Sequence, residues 1–178
     1  MRITHLILTR HFAGSERHAV ELANAQAREH DVSLVLRRGA AGGHADAFAD
    51  RVDPKVHTVL VPDWLPVWHA ANAVKRLRPD VAHAHLSGAC RALQGLQGVC
   101  LRVATLHIHY KASQHAALDA LVAVAPSPEK SFSDPAFTPA FSRARSAPES
   151  SGMALTLADV LVLRLAVEED SCVASTFS

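Results

Sequence analysis

Two histidine pairs are the residues best suited to chemistry: His83 and His85 in HAHLS, and His107 and His109 in LHIHYK. Each pair has a spacing of two, so on a strand both side chains project from one face. Neutral imidazole is a common metal ligand. It can equally donate a hydrogen bond at one ring nitrogen and accept at the other. Nothing beyond the histidines supports a metal: there is no HExxH, no CxxC and no carboxylate at regular spacing. No metal site is therefore expected. Two readings remain: hydrogen bonding to a polar ligand such as a sugar or diphosphate, or packing of one member of each pair beneath a sheet edge. Tyr110 and Lys111 follow directly, and Lys111 either pairs with a phosphate or is a solvated lysine at a helix start.

A second cluster lies near the N-terminus, where ITHLILTR leads through HFAGSER into HAVELANAQAR. Gly14 permits close backbone approach to a ligand. The N–H groups of Ser15, Glu16 and Arg17 would then face a phosphate, assisted by the helix dipole. The loop is neither GxGxxG nor a GK[ST] P-loop. The plain alternative is a turn at Gly14 with Ser15 as N-cap of the helix, and Arg17 as a solvated side chain.

These clusters need elements to hold them. Apolar runs predict strands at Ile3–Leu8, Val32–Leu36, Val56–Val61, Val81–Ala84, Val103–Leu106 and Leu121–Ala125. Helical spacing predicts helices near residues 15–28, 64–77, 89–96 and 113–118. Trp64 and Trp68, four apart, read as packing residues on one helical face. Strands alternating with helices imply crossovers and a parallel sheet. The fold class is α/β, a Rossmann-like parallel sheet with helices on both faces and an irregular C-terminal tail. In such sheets ligands bind beyond the C-terminal strand ends, where HFAGSER, HAHLS and LHIHYK would all lie.

Eighteen Lys+Arg against seventeen Asp+Glu in 178 residues give no basis for nucleic-acid binding. Cys90, Cys100 and Cys172 are odd in number and far apart, which excludes a disulfide framework and fits a reduced cytoplasmic setting. The N-terminal apolar run is too short for a signal peptide, and no transmembrane run occurs. Composition changes near Pro126. All twelve histidines precede it, whereas ten of the fourteen serines and five of the nine prolines lie from Pro126 onward. Residues 1–125 therefore read as the α/β domain, and 126–178 as a Pro/Ser-rich linker with a short apolar helix at 153–168.

Four segments in order resemble the family 4 retaining glycosyltransferases of the GT-B fold. ITHLILTRHFAGSERHAVELANA is similar to the family's "GGAE" loop and its "ELA.AL" helix. RPDVAHAHLSGA resembles its "PDVVHAH", VATLHIHYK its "VVATLHG", and DALVAVAPS its "DAVIAVS". The resemblance covers about residues 1–127. It implies the N-terminal, acceptor-side lobe of an enzyme of lipopolysaccharide or glycan biosynthesis. Such an enzyme moves a sugar, with retention, from a nucleotide-sugar co-substrate to a lipid or glycan acceptor, without other cofactors. Gly14 and Ser15 would approach the donor diphosphate, and His107 would lie over the donor sugar as the catalytic histidine. Glu16, Arg17, His85, His109, Tyr110 and Lys111 would fall on the acceptor side. The loop has one glycine where two are usual. Nothing after Pro126 resembles the second lobe with its paired-glutamate motif. The chain is thus expected to be truncated and inactive alone. The alternatives are an acceptor-side subunit working with a donor-binding chain or as a homodimer, or a non-catalytic histidine-rich metal-binding domain. Peripheral contact with the inner face of the cell membrane fits a lipid acceptor.

Overall fold

Six strands form one all-parallel sheet in the order β3-β2-β1-β4-β5-β6. They are β1 (Arg2–Ile7), β2 (Asp31–Arg37), β3 (His57–Val61), β4 (Val81–His85), β5 (Leu101–Leu106) and β6 (Ala120–Ala123). Between them run α1 (Gly14–Gln26), α2 (Pro66–Leu77), α3 (Leu86–Leu93) and the single turn α4 (Ala112–His115). The computed structural model describes residues 1–42, 47–107 and 111–123. The expected boundary at 125 and the helix at 153–168 lie outside the described residues.

All six predicted strands form, and the sheet is buried on both faces, as continuous apolar strands require. On one face α1 lays Ala19, Val20 and Ala23 over Ile3, Ile7, Val32, Leu34 and Leu36. On the other, α2 and α3 cover Leu6, Val35, Ala82, Ala84 and Ala104. Each fully buried Leu, Ile or Val contributes about 1.5–3 kcal/mol of transfer free energy. β1 pairs with β2 on one side and with β4 on the other, so the strand order reverses between β1 and β4. That reversal is the switch point at which open α/β sheets form a ligand crevice.

Several helix boundaries differ from expectation. α1 begins at Gly14, so Ser15 lies inside the first turn and Ala13 is the N-cap residue. α2 begins at Pro66, because proline suits the first helical turn and its fixed φ favours that start. Trp64 therefore precedes the helix. Trp64 and Trp68 are not packing residues: they are 65% and 59% exposed, and both set their ring edges against His69. α3 begins at Leu86, directly after β4, and includes Gly88. The abrupt strand-to-helix turn holds Leu86 at φ +68°, a left-handed conformation that costs a residue with a Cβ about 1–2 kcal/mol. No described helix is long and apolar enough to cross a membrane.

Candidate functional site

The loop between β1 and α1 is braced by a carboxylate. Glu16 is 3% exposed. Its Oε1 accepts from the Thr9 hydroxyl at 2.7 Å, and its Oε2 accepts from the Ala13 N–H at 3.1 Å and the Ser15 hydroxyl at 2.9 Å. This corrects the expectation that Ser15 caps the helix. Alanine at the N-cap has no side-chain acceptor for the first-turn N–H groups; Glu16, three residues on, makes the other half of a capping box by accepting from the N-cap residue's own N–H. A negative charge is favourable there because the first-turn N–H groups form the positive end of the helix dipole. Gly14, at the first helical position, is exposed, and a Cβ placed on it meets nothing within 4 Å. Arg17 is also exposed, its guanidinium carbon 6.0 Å from the centre of the Phe12 ring.

The histidines form a continuous polar seam beneath α1. In register, His5 of β1 faces His83 of β4, and Ile7 faces His85. The side chains of His5, His83 and His85 thus share the α1 face. Gln26 Oε1, at the end of α1, lies 2.7 Å from His5 Nε2. His5 Nδ1 lies 3.1 Å from His85 Nε2. His85 Nδ1 lies 3.3 Å from His107 Nε2, just past the end of β5. His83 Nε2 bonds the Thr105 hydroxyl at 2.7 Å, while its buried Nδ1 has no partner. His18, from α1, sets its ring edge-on to His107, with centroids 5.4 Å apart.

These rings are neutral at physiological pH. Burial, opposed by the Gln26 hydrogen bond, holds His5 down at about 4. Burial, then His18 nearby, does the same for His107, also to about 4. His83 and His85 are pushed well below the ordinary range, by burial first and by neighbouring histidines second. Burial also raises the Cys90 and Cys100 thiols to about 11, so neither is a ready nucleophile.

The expected residues converge in part. The loop of Gly14 and Ser15 leads into α1, which places His18 against His107, and His107 bonds His85. His85 is fully buried with both ring nitrogens engaged, so it touches the cleft edge only through His107. Lys111 is exposed, and its backbone N–H donates to His115 Nδ1. His109 and Tyr110 lie outside the described residues. Sequence reasoning missed His5, His18 and Gln26. His5 stands within an apolar strand and Gln26 at an ordinary helix position, so neither carries a local signal of its own. Among the described residues one group has the proximity of a metal site: His5, His83 and His85, with one ring nitrogen of each within 4.8 Å of the others.

No curated protein matches the chain. The family model described as Glycosyltransferase Family 4 matches residues 12–146, from the loop before α1 to well past β6. An all-parallel sheet with its polar residues gathered at the switch-point edge agrees with that match. Since the match spans most of the sequence, the chain belongs to Glycosyltransferase Family 4.

Proposed function

We propose that this lobe forms the acceptor-side wall of a retaining glycosyltransferase cleft. A nucleotide-sugar donor would seat with its diphosphate at the loop of Gly14 and Ser15 and its sugar beneath His107. A donor-binding lobe, in the same polypeptide or in a partner, would supply the facing wall and hold the nucleotide. The carrying observation is the seam from Gln26 to His107, which crosses the switch-point strands β1 and β4 and ends just past β5, on the sheet edge where sheets of this class bind ligands. Neutral imidazole beside a helix N-terminus suits a ligand that is hydroxyl-rich at one end and anionic at the other. No cofactor beyond the sugar nucleotide enters this scheme.

A lipid acceptor is favoured over a soluble glycan by one surface feature. Trp64 and Leu65 follow β3 at the same C-terminal edge as the loop, and Trp68 follows in α2; all three are strongly exposed. Leu65 and Trp68 line an open apolar groove of about 620 Å³ bordered by Lys75 and Arg91. Exposed tryptophans beside cations suit the boundary between water and an anionic membrane. The same surface supports peripheral attachment to a membrane, which this reading puts at the cytoplasmic face.

The test is transfer itself. Protein purified with whatever accompanies it is given labelled nucleotide sugars and a membrane-lipid extract. Retention is read from the anomeric proton coupling of the product. His107→Ala is expected to lose transfer while keeping its melting temperature within a few degrees. Undiminished transfer by that variant overturns the role given to His107.

A further inference from the structure

The three hydrogen bonds of the seam carry directional information. Each joins two nitrogens or a nitrogen and an oxygen, and each holds one proton. Gln26 Oε1 can only accept, so at 2.7 Å His5 Nε2 must carry the proton. His5 Nδ1 is then bare and must accept, which places a proton on His85 Nε2, 3.1 Å away. His85 Nδ1 is bare in turn, and His107 Nε2 must donate to it across 3.3 Å. His107 Nδ1 is left without a proton.

We propose that Gln26, acting through His5 and His85, is a positioning residue that fixes His107 as its Nε2–H tautomer and so makes its Nδ1 an obligate hydrogen-bond acceptor. Building on the assignment of His107 to the donor sugar, this restricts what His107 can face. A bare ring nitrogen accepts from a sugar hydroxyl and repels a phosphate oxygen, since neither partner would bring a proton. The polar edge is therefore divided: anionic groups belong at the α1 N-terminus, and hydroxyl groups belong at His107. The seam is long because the control lies in the core. His5, His85 and Gln26 are all buried, so water does not compete for their protons.

A cation shared by His5, His83 and His85 would require the proton between His5 and His85 to leave. The ring arrangement opposes this. His83 and His85 stack at 4.5 Å with an interplanar angle of 29°, and His5 and His85 at 5.4 Å with 28°. Nitrogen lone pairs lie in the ring plane, so those of stacked rings run side by side, whereas tetrahedral ligands converge on one ion.

Long-range proton–nitrogen correlation spectra of the ¹⁵N-histidine-labelled full chain, without ligand, read each ring tautomer directly. His5, His85 and His107 are expected as Nε2–H tautomers at pH 7.5. Gln26→Leu removes the terminal acceptor, and His107 is expected to become a mixture of both tautomers. Gln26→Glu restores an acceptor, returns His107 to Nε2–H and raises the pKa of His5. A residue that merely packs would alter stability in these variants without moving the His107 tautomer. A wild-type His107 in the Nδ1–H form, an unmoved tautomer in folded Gln26→Leu, or stoichiometric zinc with the His85 Nε2 proton missing would each overturn the proposal. Because no donor is present, failure here is distinguishable from failure of the transferase assignment, which is read by transfer.

Discussion

Lowering the pH from 8 to 5 should destabilise this protein through its buried histidines, and His5 allows the size of the effect to be worked out. His5 is 0% exposed. Folding lowers its pKa from 6.5 to about 4, mainly by burial. Below pH 6.5 the unfolded chain takes up a proton that the folded chain refuses, so stability is complete above that value and falls as the pH drops toward 4. At about 1.4 kcal/mol per pH unit, His5 alone removes about 2 kcal/mol by pH 5 and about 3 kcal/mol by pH 4. His83 and His85 shift in the same direction and steepen the loss. Against a usual total of about 5–15 kcal/mol, this is a large fraction. With a urea slope of about 2 kcal/mol per molar, the His5 share lowers the midpoint by about 1 M. The assay compares urea midpoints of wild type and His5→Leu at pH 8 and pH 5. The variant should lose about 2 kcal/mol less across that interval, whatever its stability at pH 8. Equal wild-type stability at both pH values, or an undiminished loss in His5→Leu, refutes the burial of a neutral histidine seam.

Glu16→Ala leaves the Ala13 N–H and two hydroxyls without their shared acceptor, and a loss of about 2 kcal/mol is expected in chemical denaturation. Gly14→Ala meets no neighbouring atom and should change stability by less than about 0.5 kcal/mol. If donor titration of the same variant shows weakened binding, a ligand backbone contact at Gly14 is the cause; undiminished binding removes Gly14 from the site. Asp119→Ala strips the nearly buried Arg102 guanidinium of its two-pronged partner. Because Asp119 is 37% exposed, solvent screening reduces the expected cost to about 2 kcal/mol, measurable as a fall in melting temperature.

Strand positions were legible because a fully covered parallel strand must be apolar along its length, as Val32–Leu36 and Val103–Leu106 are. The gathering of polar clusters at one edge was legible for a related reason: in alternating α/β chains the loops after strands all emerge on one side. The seam itself was not. His5 and His83 are 78 residues apart and meet only because β1 and β4 pair in one register, and strand order is a property of the whole sheet. Gln26 becomes part of the site only through the rotation of α1 about its axis. The Ser15 cap failed because the helix begins at Gly14, directly after Ala13, and the Ser15 hydroxyl donates to the Glu16 carboxylate instead of capping a first-turn N–H. Trp64 and Trp68 share a spacing that core residues also use, but α2 begins only at Pro66, so the two do not share a face of it.

A sugar nucleotide is expected to seat at the edge defined by the Gly14 loop and His107. Titration of the ¹⁵N-labelled chain with uridine, guanosine, cytidine and adenosine diphosphate sugars checks this. Saturable shifts are predicted at the Gly14 and Ser15 amides and the His107 ring, governed by the diphosphate and sugar rather than by the nucleotide, which the facing lobe would hold. The opposite edge, marked by the Arg2–Asp80 and Arg102–Asp119 pairs, should stay unchanged. Saturable shifts confined to that opposite edge, or none with any donor up to millimolar concentration, would contradict it.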